Sequence, residues 1–354
     1  MRRLSALLLG ALVASMFGLA PAGGAEFVVR PGESIQAALL AAPPGSTITV
    51  RDGVYREAVT LTDDGMKVRA SGAVLEPPAT PPPPGPCTNP EDPAALTGFC
   101  VLGDVDFDTG TVADRIEDVT ISGFTIRGFG GNGIFVAGGE DVKIWHNDLV
   151  DNGEYGAAAF FSTGTVFTEN RATGSEEAGL YVGSSPDADA KLQDNVVRDN
   201  GIGLFVRDAD HGRIRENLSE GNCVGAVFLD TGDPSGTASF WRFRENRVRD
   251  NTKVCPASEE GPPISGAGIA IVGATNLLIQ DNRVRRNVPS GPSPFLAGGI
   301  VAVASDAGGG VPTANVIRHN TVLDNQPADL RSLAGDADWR NNRCRTSEPP
   351  GFCD

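Results

Sequence analysis

Short runs of alternating apolar and polar residues, most of them ending in asparagine, recur along most of the chain. Their period of two and their content of Val, Ile and Phe predict short β-strands. The asparagines that end these runs, 22 to 38 residues apart, are Asn147, Asn170, Asn195, Asn217, Asn246, Asn282, Asn320 and Asn342. In six copies a second asparagine follows five residues later, at Asn152, Asn200, Asn222, Asn251, Asn287 and Asn325.

A repeat of this length predicts a solenoid. About 22 residues suffice for three short strands and three turns, which is one coil of a parallel β-helix. A single coil cannot bury its apolar side alone, so stacking on its neighbours completes the core. Asparagine tolerates left-handed backbone in turns, and stacked amides can form a hydrogen-bonded ladder. We therefore interpret the repeated asparagines as structural.

The start of the repeat region predicts a cap. Residues 35–42 have the pattern of a short apolar helix, Ser34 is a candidate N-cap, and Pro43 and Pro44 end the helix. Such a helix could cover the open end of the core, since exposed strand edges invite aggregation. We expect caps at residues 26–45 and 340–354, with the first strands at 47–50 and 59–61.

The segments 31–36 (Pro-Gly-Glu-Ser-Ile-Gln) and 52–57 (Asp-Gly-Val-Tyr-Arg-Glu), followed by Asn- and Gly-containing coils, resemble the pectin-lyase-like right-handed parallel β-helix superfamily. The resemblance covers about residues 26–345. It implies an all-β fold class, a single-stranded right-handed parallel β-helix of about ten coils over residues 26–354. The superfamily includes lyases, epimerases, hydrolases, esterases and phage tailspikes, so the resemblance does not specify a reaction.

The first residues predict where the protein is located, and the net charge restricts what it binds. Arg2 and Arg3 precede an apolar stretch and then small residues, which predicts a secretory signal over residues 1–25; a membrane anchor is the weaker alternative. We therefore expect a secreted, extracellular monomer with no membrane association after cleavage. The formal net charge of −16 argues against nucleic acid as the partner, because phosphate binding needs a basic surface.

Six cysteines in an exported chain suggest disulfides. They allow 15 pairings. We favour pairing between sequence neighbours, namely Cys87–Cys100, Cys223–Cys255 and Cys344–Cys353.

Insertions interrupt the regular coils. A Pro-rich loop spans residues 77–99, and later insertions span residues 231–240, 252–266, 288–297 and 304–313. Insertions in solenoids often cluster on a binding side. The last four could therefore wall a cleft, the alternative being surface loops without function.

An aromatic stripe is predicted where the middle residue of a repeated apolar strand points outward. Its members at near-coil spacing are Phe135, Phe160, Tyr181, Phe205 and Phe228. Exposed rings suit stacking on sugars and mark binding surfaces. The alternative is that they only stabilise neighbouring strands.

The densest polar cluster follows this strand. Its candidate catalytic residues are Arg207, Asp208, Asp210, His211, Asp230 and Asp233. Paired carboxylates could act as acid and base in glycoside hydrolysis. They could instead hold calcium while Arg207 or His211 takes the proton beside a uronate. The candidate calcium ligands are Asp187, Asp189, Asp208 and Asp210. The remaining alternatives are a purely structural calcium site and a solvated acidic turn.

A second recurring feature is basic: arginines flank the Glu-Asn or Asp-Asn step in successive coils. They are Arg215, Arg244, Arg247, Arg249, Arg283, Arg285 and Arg318. Arg could bind uronate carboxylates. An alternating-charge, solvated surface is the simpler interpretation.

The leading hypothesis is recognition of extracellular polysaccharide, with lyase- or epimerase-type attack on an acidic, uronate-containing glycan. A non-catalytic glycan-binding or structural protein is the alternative, and a glycoside hydrolase is third. No motif requires a cofactor, and calcium is the one metal that the carboxylates suit.

Overall fold

The computed structural model describes residues 24–83, 85, 87–88, 95–257, 262–293 and 295–354. The predicted secretory signal, residues 1–25, lies outside the described residues except for its last two. Parts of the predicted insertions 77–99, 252–266 and 288–297 also lie outside them.

Each regular coil has three strands, and the strands of successive coils pair in parallel to form three faces. Face 1 consists of the strands that precede the first asparagine of each coil. These are Glu26–Val29, Thr47–Val50, Lys143–Trp145, Val166–Thr168, Ala190–Gln193, Gly212–Arg215, Trp241–Arg244, Leu278–Gln280, Val316–Arg318 and Asp338–Arg340. Face 2 follows that asparagine, with Gly53–Arg56, Asp148–Val150, Arg171–Thr173, Val196–Arg198, Leu218–Glu220, Arg247–Arg249, Arg283–Arg285 and Thr321–Leu323. Two longer strands, Lys67–Glu76 and Thr120–Arg127, run along both faces.

Face 3 follows the second asparagine, and the described residues contribute eleven strands to it. They are Val59–Leu61, Phe99–Leu102, Ile134–Ala137, Tyr155–Phe160, Ala178–Ser185, Ile202–Ala209, Val224–Leu229, Ala267–Val272, Gly298–Val303, Leu330–Ser332 and Ser347–Glu348. Three small pairs lie outside the coils: Asp104–Asp106 with Thr111–Asp114, Val254–Cys255 with Ile264–Ser265, and Ile116–Glu117 with Gly139–Glu140.

The core lies between the three faces, because alternate residues of each strand point inward. On face 1 the inward column includes Phe167, Leu192, Ile214, Phe243 and Ile279, all fully buried. Stacked columns of this kind complete one continuous core from one end of the solenoid to the other.

The repeated asparagines form two buried ladders, as predicted. In the first ladder the backbone N–H and the Nδ2 of Asn217 both donate to Oδ1 of Asn246, at 3.0 and 2.9 Å. Asn246 repeats this contact with Asn282, and its Nδ2 also donates to the carbonyl of Ile214. The second ladder repeats the arrangement one turn later, where Asn222 donates to Asn251. Each amide therefore satisfies buried backbone at a turn and links two coils.

A column of glycines gives the second ladder its space. At Gly225, the second residue of a face 3 strand, an added Cβ would lie 2.7 Å from Nδ2 of Asn251 and 2.7 Å from the carbonyl oxygen of Gly268. Real Cβ atoms do not approach so closely, so a side chain would displace the ladder or the next coil. Glycine recurs at this position of the face 3 strands because a side chain there would collide with the buried amides.

Both ends of the solenoid are covered. The helix Ile35–Ala41 buries Ile35 and Leu39, and Ser34 is its N-cap through a bond from the Ala37 N–H. At the other end Asp329 terminates the second ladder, accepting from both the N–H and the Nδ2 of Asn325. Among the described residues, none of the helices has the length and apolar character needed to cross a membrane.

All three predicted disulfides are present. Cys87–Cys100 joins the Pro-rich loop to face 3, Cys223–Cys255 ties the 252–266 insertion, and Cys344–Cys353 closes the C-terminal loop.

Candidate functional site

The outer surface of face 3 carries most of the predicted aromatic stripe. Phe135 lies opposite Ala158, Ala158 opposite Tyr181, and Tyr181 opposite Phe205 on successive strands. Phe160 lies two residues farther along its strand, opposite Gly183, so its predicted register is wrong. The preceding run of three alanines has no large residue to reveal the register.

The prediction for Phe228 is also wrong. Phe228 is fully buried in the core, with its ring centroid 5.9 Å from that of Phe243, and Val227 is the residue that lies opposite Phe205. The strand Val224–Leu229 is apolar on both sides, because outer apolar residues cover it too. Its sequence therefore gives no alternation that would show which residues point inward.

The rings on face 3 form a continuous line. From Phe135 the centroid distances are 5.3 Å to Phe160, 4.7 Å from Phe160 to Tyr181, and 5.2 Å from Tyr181 to Phe205. Tyr181 is only 3% exposed, and the three phenylalanines are half-buried. Gly183 makes this possible, because a Cβ there would collide with the Tyr181 ring. We call Phe107, Phe135, Phe160, Tyr181 and Phe205 the aromatic line.

The first member of the line comes from a hairpin that the sequence interpretation missed. The strands Asp104–Asp106 and Thr111–Asp114 pair antiparallel, and Phe107 lies in the turn between them. Its ring is 6.4 Å from Phe135 and stacked, and it is 45% exposed. No repeat motif marks this hairpin, since it occurs once.

The upstream edge of face 3, where its strands begin, holds a polar group that was also missed. The Asn132 Nδ2 donates to Oε2 of Glu154 at 3.0 Å. The hydroxyl of Tyr155 hydrogen-bonds Glu177, and the Tyr155 ring stacks on Tyr181 at 4.6 Å. Burial, together with the charge of Glu177, raises the pKa of Tyr155 far above its ordinary value. Tyr155 is therefore a protonated donor at neutral pH.

The Oδ1 of Asn132 is buried and has no hydrogen-bond partner among the described residues. A buried amide oxygen without a partner is costly. The only signal for this group in the sequence is the position of Glu154 and Glu177 just before their strands.

The downstream edge, where the face 3 strands end, holds the predicted catalytic cluster. Arg207 points outward and its Nε lies 3.4 Å from Oδ2 of Asp208. Asp208 is buried and accepts from both the N–H and the hydroxyl of Thr231, at 2.7 Å each. Asp210 accepts from Thr237 and Ser239. These two aspartates therefore brace the neighbouring 231–240 insertion.

Asp230 and Asp233 differ in electrostatics. Asp230 is buried, and this burial, with the charges of Asp208 and Asp210, raises its pKa although the Gly232 N–H opposes the shift. The hydroxyl of Ser235 holds the pKa of Asp233 below its ordinary value. Of the predicted carboxylates, Asp230 is the one whose environment favours a proton.

The other predicted site residues lie apart from this group. His211 stacks on Phe240 at the turn toward face 1, with ring centroids 4.9 Å apart. Asp187 and Asp189 are exposed. Within the described ranges, no three His, Cys, Asp or Glu side chains come together as metal ligands. Both oxygens of Asp208 and the Oδ1 of Asp210 already accept hydrogen bonds from the neighbouring turn, and the calcium site stays a prediction.

The later insertions lie at opposite edges of face 3. Residues 252–266 and 288–297 lie at the upstream edge, where Ile264 and Leu296 pack on an outer apolar cluster around Val227 and Ala270. Residues 231–240 and 304–313 lie at the downstream edge, where the backbone of Gly232 approaches Gly308. That these insertions wall a cleft stays a prediction.

Comparisons with known proteins find the same architecture in a family model and in solved structures. Residues 105–237 match the family model described as "Right handed beta helix region". The fold resembles the A-module of mannuronan C-5 epimerase AlgE4 from Azotobacter vinelandii, with a TM-score of 0.61, 18% identity, and coverage of 89% of this chain and 91% of that one. No curated protein sequence matches significantly.

Two further solved structures are similar. DFA-IIIase from Arthrobacter chlorophenolicus A6, without its lid, has a TM-score of 0.53 at 12% identity, over 86% of this chain and 88% of that one. The periplasmic alginate epimerase AlgG has a TM-score of 0.51 at 12% identity, over 91% and 84%. At such identities the likeness concerns the fold. The chain folds as a right-handed parallel β-helix.

Proposed function

We propose that the outer surface of face 3 binds an acidic, uronate-containing polysaccharide. The observation that carries this proposal is the aromatic line, which ends at Phe205 beside Arg207 on the same strand. Ring faces suit stacking on sugars, and a guanidinium pairs with a carboxylate in bidentate geometry. The Arg207 side chain is 46% exposed, so a ligand can reach it.

The titles of the similar solved structures support the proposal. Two of the similar structures are titled as epimerases of mannuronan or alginate, which are uronate polysaccharides. An extracytoplasmic location agrees with this substrate. Three disulfides form and persist in oxidising compartments, and one relative is titled periplasmic.

The reaction we propose begins with removal of the proton on the carbon next to the uronate carboxylate. Arg207 would hold that carboxylate and so stabilise the negative charge left after proton removal. In epimerisation a second group returns a proton to the opposite side of that carbon. In elimination the bond to the neighbouring glycosidic oxygen breaks, that oxygen takes a proton, and a carbon–carbon double bond forms.

We assign proton transfer to Asp230, because it lies at the same downstream edge as Arg207 and has a raised pKa. Tyr155 and Glu177 lie at the upstream edge, five strand residues away from the position of Arg207, so we assign them to sugar binding beside the aromatic line. We assign Asp208, Asp210 and Asp233 to positioning, because at least one carboxylate oxygen of each accepts hydrogen bonds from turn residues. His211 is assigned no part in this step.

The test is incubation of the mature, disulfide-bonded protein with alginate, polygalacturonate and hyaluronan. A rise in ultraviolet absorbance identifies elimination, and proton NMR of the products identifies epimerised residues. Arg207→Gln should lower turnover at least tenfold, and Asp230→Asn should lower it with little change in binding.

Arg247→Gln is the matched control, an exposed arginine on face 2 that should leave turnover unchanged. Binding to a uronan without turnover would move the function to a non-catalytic glycan-binding protein. Reducing ends without ultraviolet absorbance would identify a hydrolase. Absence of both binding and turnover on all uronans would contradict the proposal.

A further inference from the structure

An exposed aromatic–histidine pair lies at the turn between face 3 and face 1. The Phe240 ring is 50% exposed and stacks on the His211 ring, with centroids 4.9 Å apart and planes at 11°. We call these two residues the corner pair. They occupy the same turn position in successive coils, where the equivalent residues before and after are Asp189 and Asn276.

This turn position requires left-handed backbone in each of these coils, with φ of 63° at His211 and 61° at Phe240. Asp, Asn and Gly adopt such a conformation readily, whereas a bulky side chain does so only with strain. The turn therefore gives no structural reason for a phenylalanine at position 240. A strained, exposed ring is an outlier of the kind that clusters at binding sites.

A column of cations lies directly beside the corner pair. Lys191, Arg213 and Arg242 follow the turn residue by two positions and are direct partners on three consecutive strands of face 1. Adjacent strands are about 4.8 Å apart, so three positive charges are stacked at that spacing. Like charges directly opposite each other are unfavourable.

No carboxylate lies within 4.0 Å of these three cations in the described part of the chain. The neighbouring column of face 1 behaves differently, since Arg215 pairs with Glu216 and Arg244 pairs with Asp281. In a chain with a net charge of −16, a stacked set of unpaired cations beside an exposed ring is unusual. We call Lys191, Arg213 and Arg242 the basic column.

We propose that the corner pair and the basic column form a second site, which binds a linear anionic polysaccharide along the solenoid axis. The Phe240 ring would take the face of one sugar, and the stacked cations would take the acidic groups of neighbouring sugars. The spacing of the coils is similar to the length of one pyranose residue, so successive charges can meet successive strands. This site needs no chemistry at face 3 and would stand if face 3 had no activity.

Two carboxylates at this turn oppose the site. Asp189 is exposed at the turn position one coil before His211, and it would repel an anionic chain. Asp210 is half-buried and accepts from Thr237 and Ser239, but these hydrogen bonds do not remove its negative charge. Asp189→Asn should therefore strengthen binding, since asparagine keeps the backbone preference and removes the charge.

The experiment is affinity electrophoresis of the disulfide-bonded protein through gels that contain polygalacturonate, or dextran as the neutral comparison. Phe240→Asn puts a residue suited to the left-handed turn in place of the ring. In an Arg207→Gln background, which removes the contribution of face 3, Phe240→Asn and the double variant Arg213→Ser with Arg242→Ser should each weaken retention by polygalacturonate at least tenfold. Migration in dextran is the reference for each variant, because the double variant also changes the net charge. Circular dichroism spectra and melting temperatures check that each variant is folded.

The matched control is the double variant Arg247→Ser with Arg283→Ser, which removes two directly opposed arginines of face 2 that lack a ring beside them. It should keep at least half of the retention. Equal losses in both double variants would mean binding by general charge and would overturn the site, as would unchanged retention of Phe240→Asn. Arg207→Gln, which tests face 3, should leave retention by this site measurable.

Discussion

Two neighbouring aspartates have opposite effects on stability. Burial raises the pKa of Asp230, so the folded protein holds that proton more tightly than the unfolded chain does. The stability that Asp230 contributes is present below the pKa it has in the unfolded chain. It is lost as the pH rises through the pKa it has in the folded protein. For Asp233 the hydrogen bonds from Ser235 lower the pKa. The stability that Asp233 contributes is present above the pKa it has in the unfolded chain. It is lost as the pH falls through the pKa it has in the folded protein.

Asparagine at each position should therefore act with opposite sign. Asp230→Asn should raise the melting temperature at neutral pH and have no such effect at about pH 3, below the ordinary aspartate pKa of about 3.9. Asp233→Asn should lower the melting temperature at neutral pH, with a difference that shrinks toward about pH 2. Calorimetry across that range measures both. Shifts of the same sign at neutral pH would contradict this account of Asp230.

The ladder amides should be far less tolerant than exposed amides. Asn246→Leu would leave the backbone N–H of Asn217 without its acceptor and would remove the side-chain donor to the carbonyl of Ile214 inside the solenoid. Each orphaned buried group costs about 1–3 kcal/mol, so we expect a loss of at least about 2 kcal/mol in the free energy of unfolding. Asn276→Gly, at an exposed amide, is the control and should cost less than about 0.5 kcal/mol. Equal denaturation midpoints would contradict a stabilising ladder.

At the scale of elements, the Cys223–Cys255 disulfide holds the hairpin of Val254–Cys255 and Ile264–Ser265 against face 3. In this hairpin Ile264 packs on the outer apolar cluster, and the Ser265 hydroxyl accepts from the Ser290 N–H in the next insertion. The disulfide therefore couples two insertions to the apolar surface beside the aromatic line.

Replacing both cysteines, Cys223→Ser with Cys255→Ser, should release this hairpin. With a separation of 32 residues, the chain-entropy model gives a loss of about 3–4 kcal/mol. We expect binding of a hydrophobic dye to the uncovered cluster and faster amide exchange in the hairpin. The double variant Cys344→Ser with Cys353→Ser is the control, because it destabilises the C-terminal loop and should bind no more dye than the native protein.

The repeating elements were predictable from the sequence, and the unique ones were not. Asparagines, glycines and alternating strands recur in coil after coil, so the solenoid, its ladders and the helix after Ser34 all follow from pattern. Phe228 escaped prediction because both sides of its strand are covered by apolar residues. The Phe107 hairpin and the Tyr155–Glu177 contact occur once, and their meaning depends on which coils stack beside them.

At the scale of the whole molecule, the solenoid is quasi-one-dimensional, because each coil contacts mainly its two neighbours. Its terminal coils have a neighbour on one side only and are therefore the places where unfolding should begin. At the N-terminal end, Glu57 accepts from the N–H groups of Ile35 and Gln36 and from the Ser34 hydroxyl, which fixes the capping helix to the next strand.

Glu57→Ala should loosen that end only. Loss of a cap costs about 1 kcal/mol or somewhat more, which corresponds to roughly tenfold faster exchange of the helix amides. We expect the change in Ile35–Ala41 and Glu26–Val29 and none in the coils between residues 190 and 300. Glu348→Ala, which removes the partner of Arg331, is the matched variant at the other end. Hydrogen exchange with mass spectrometry resolves the two ends, and a uniform rise along all coils would mean that the solenoid unfolds as one unit.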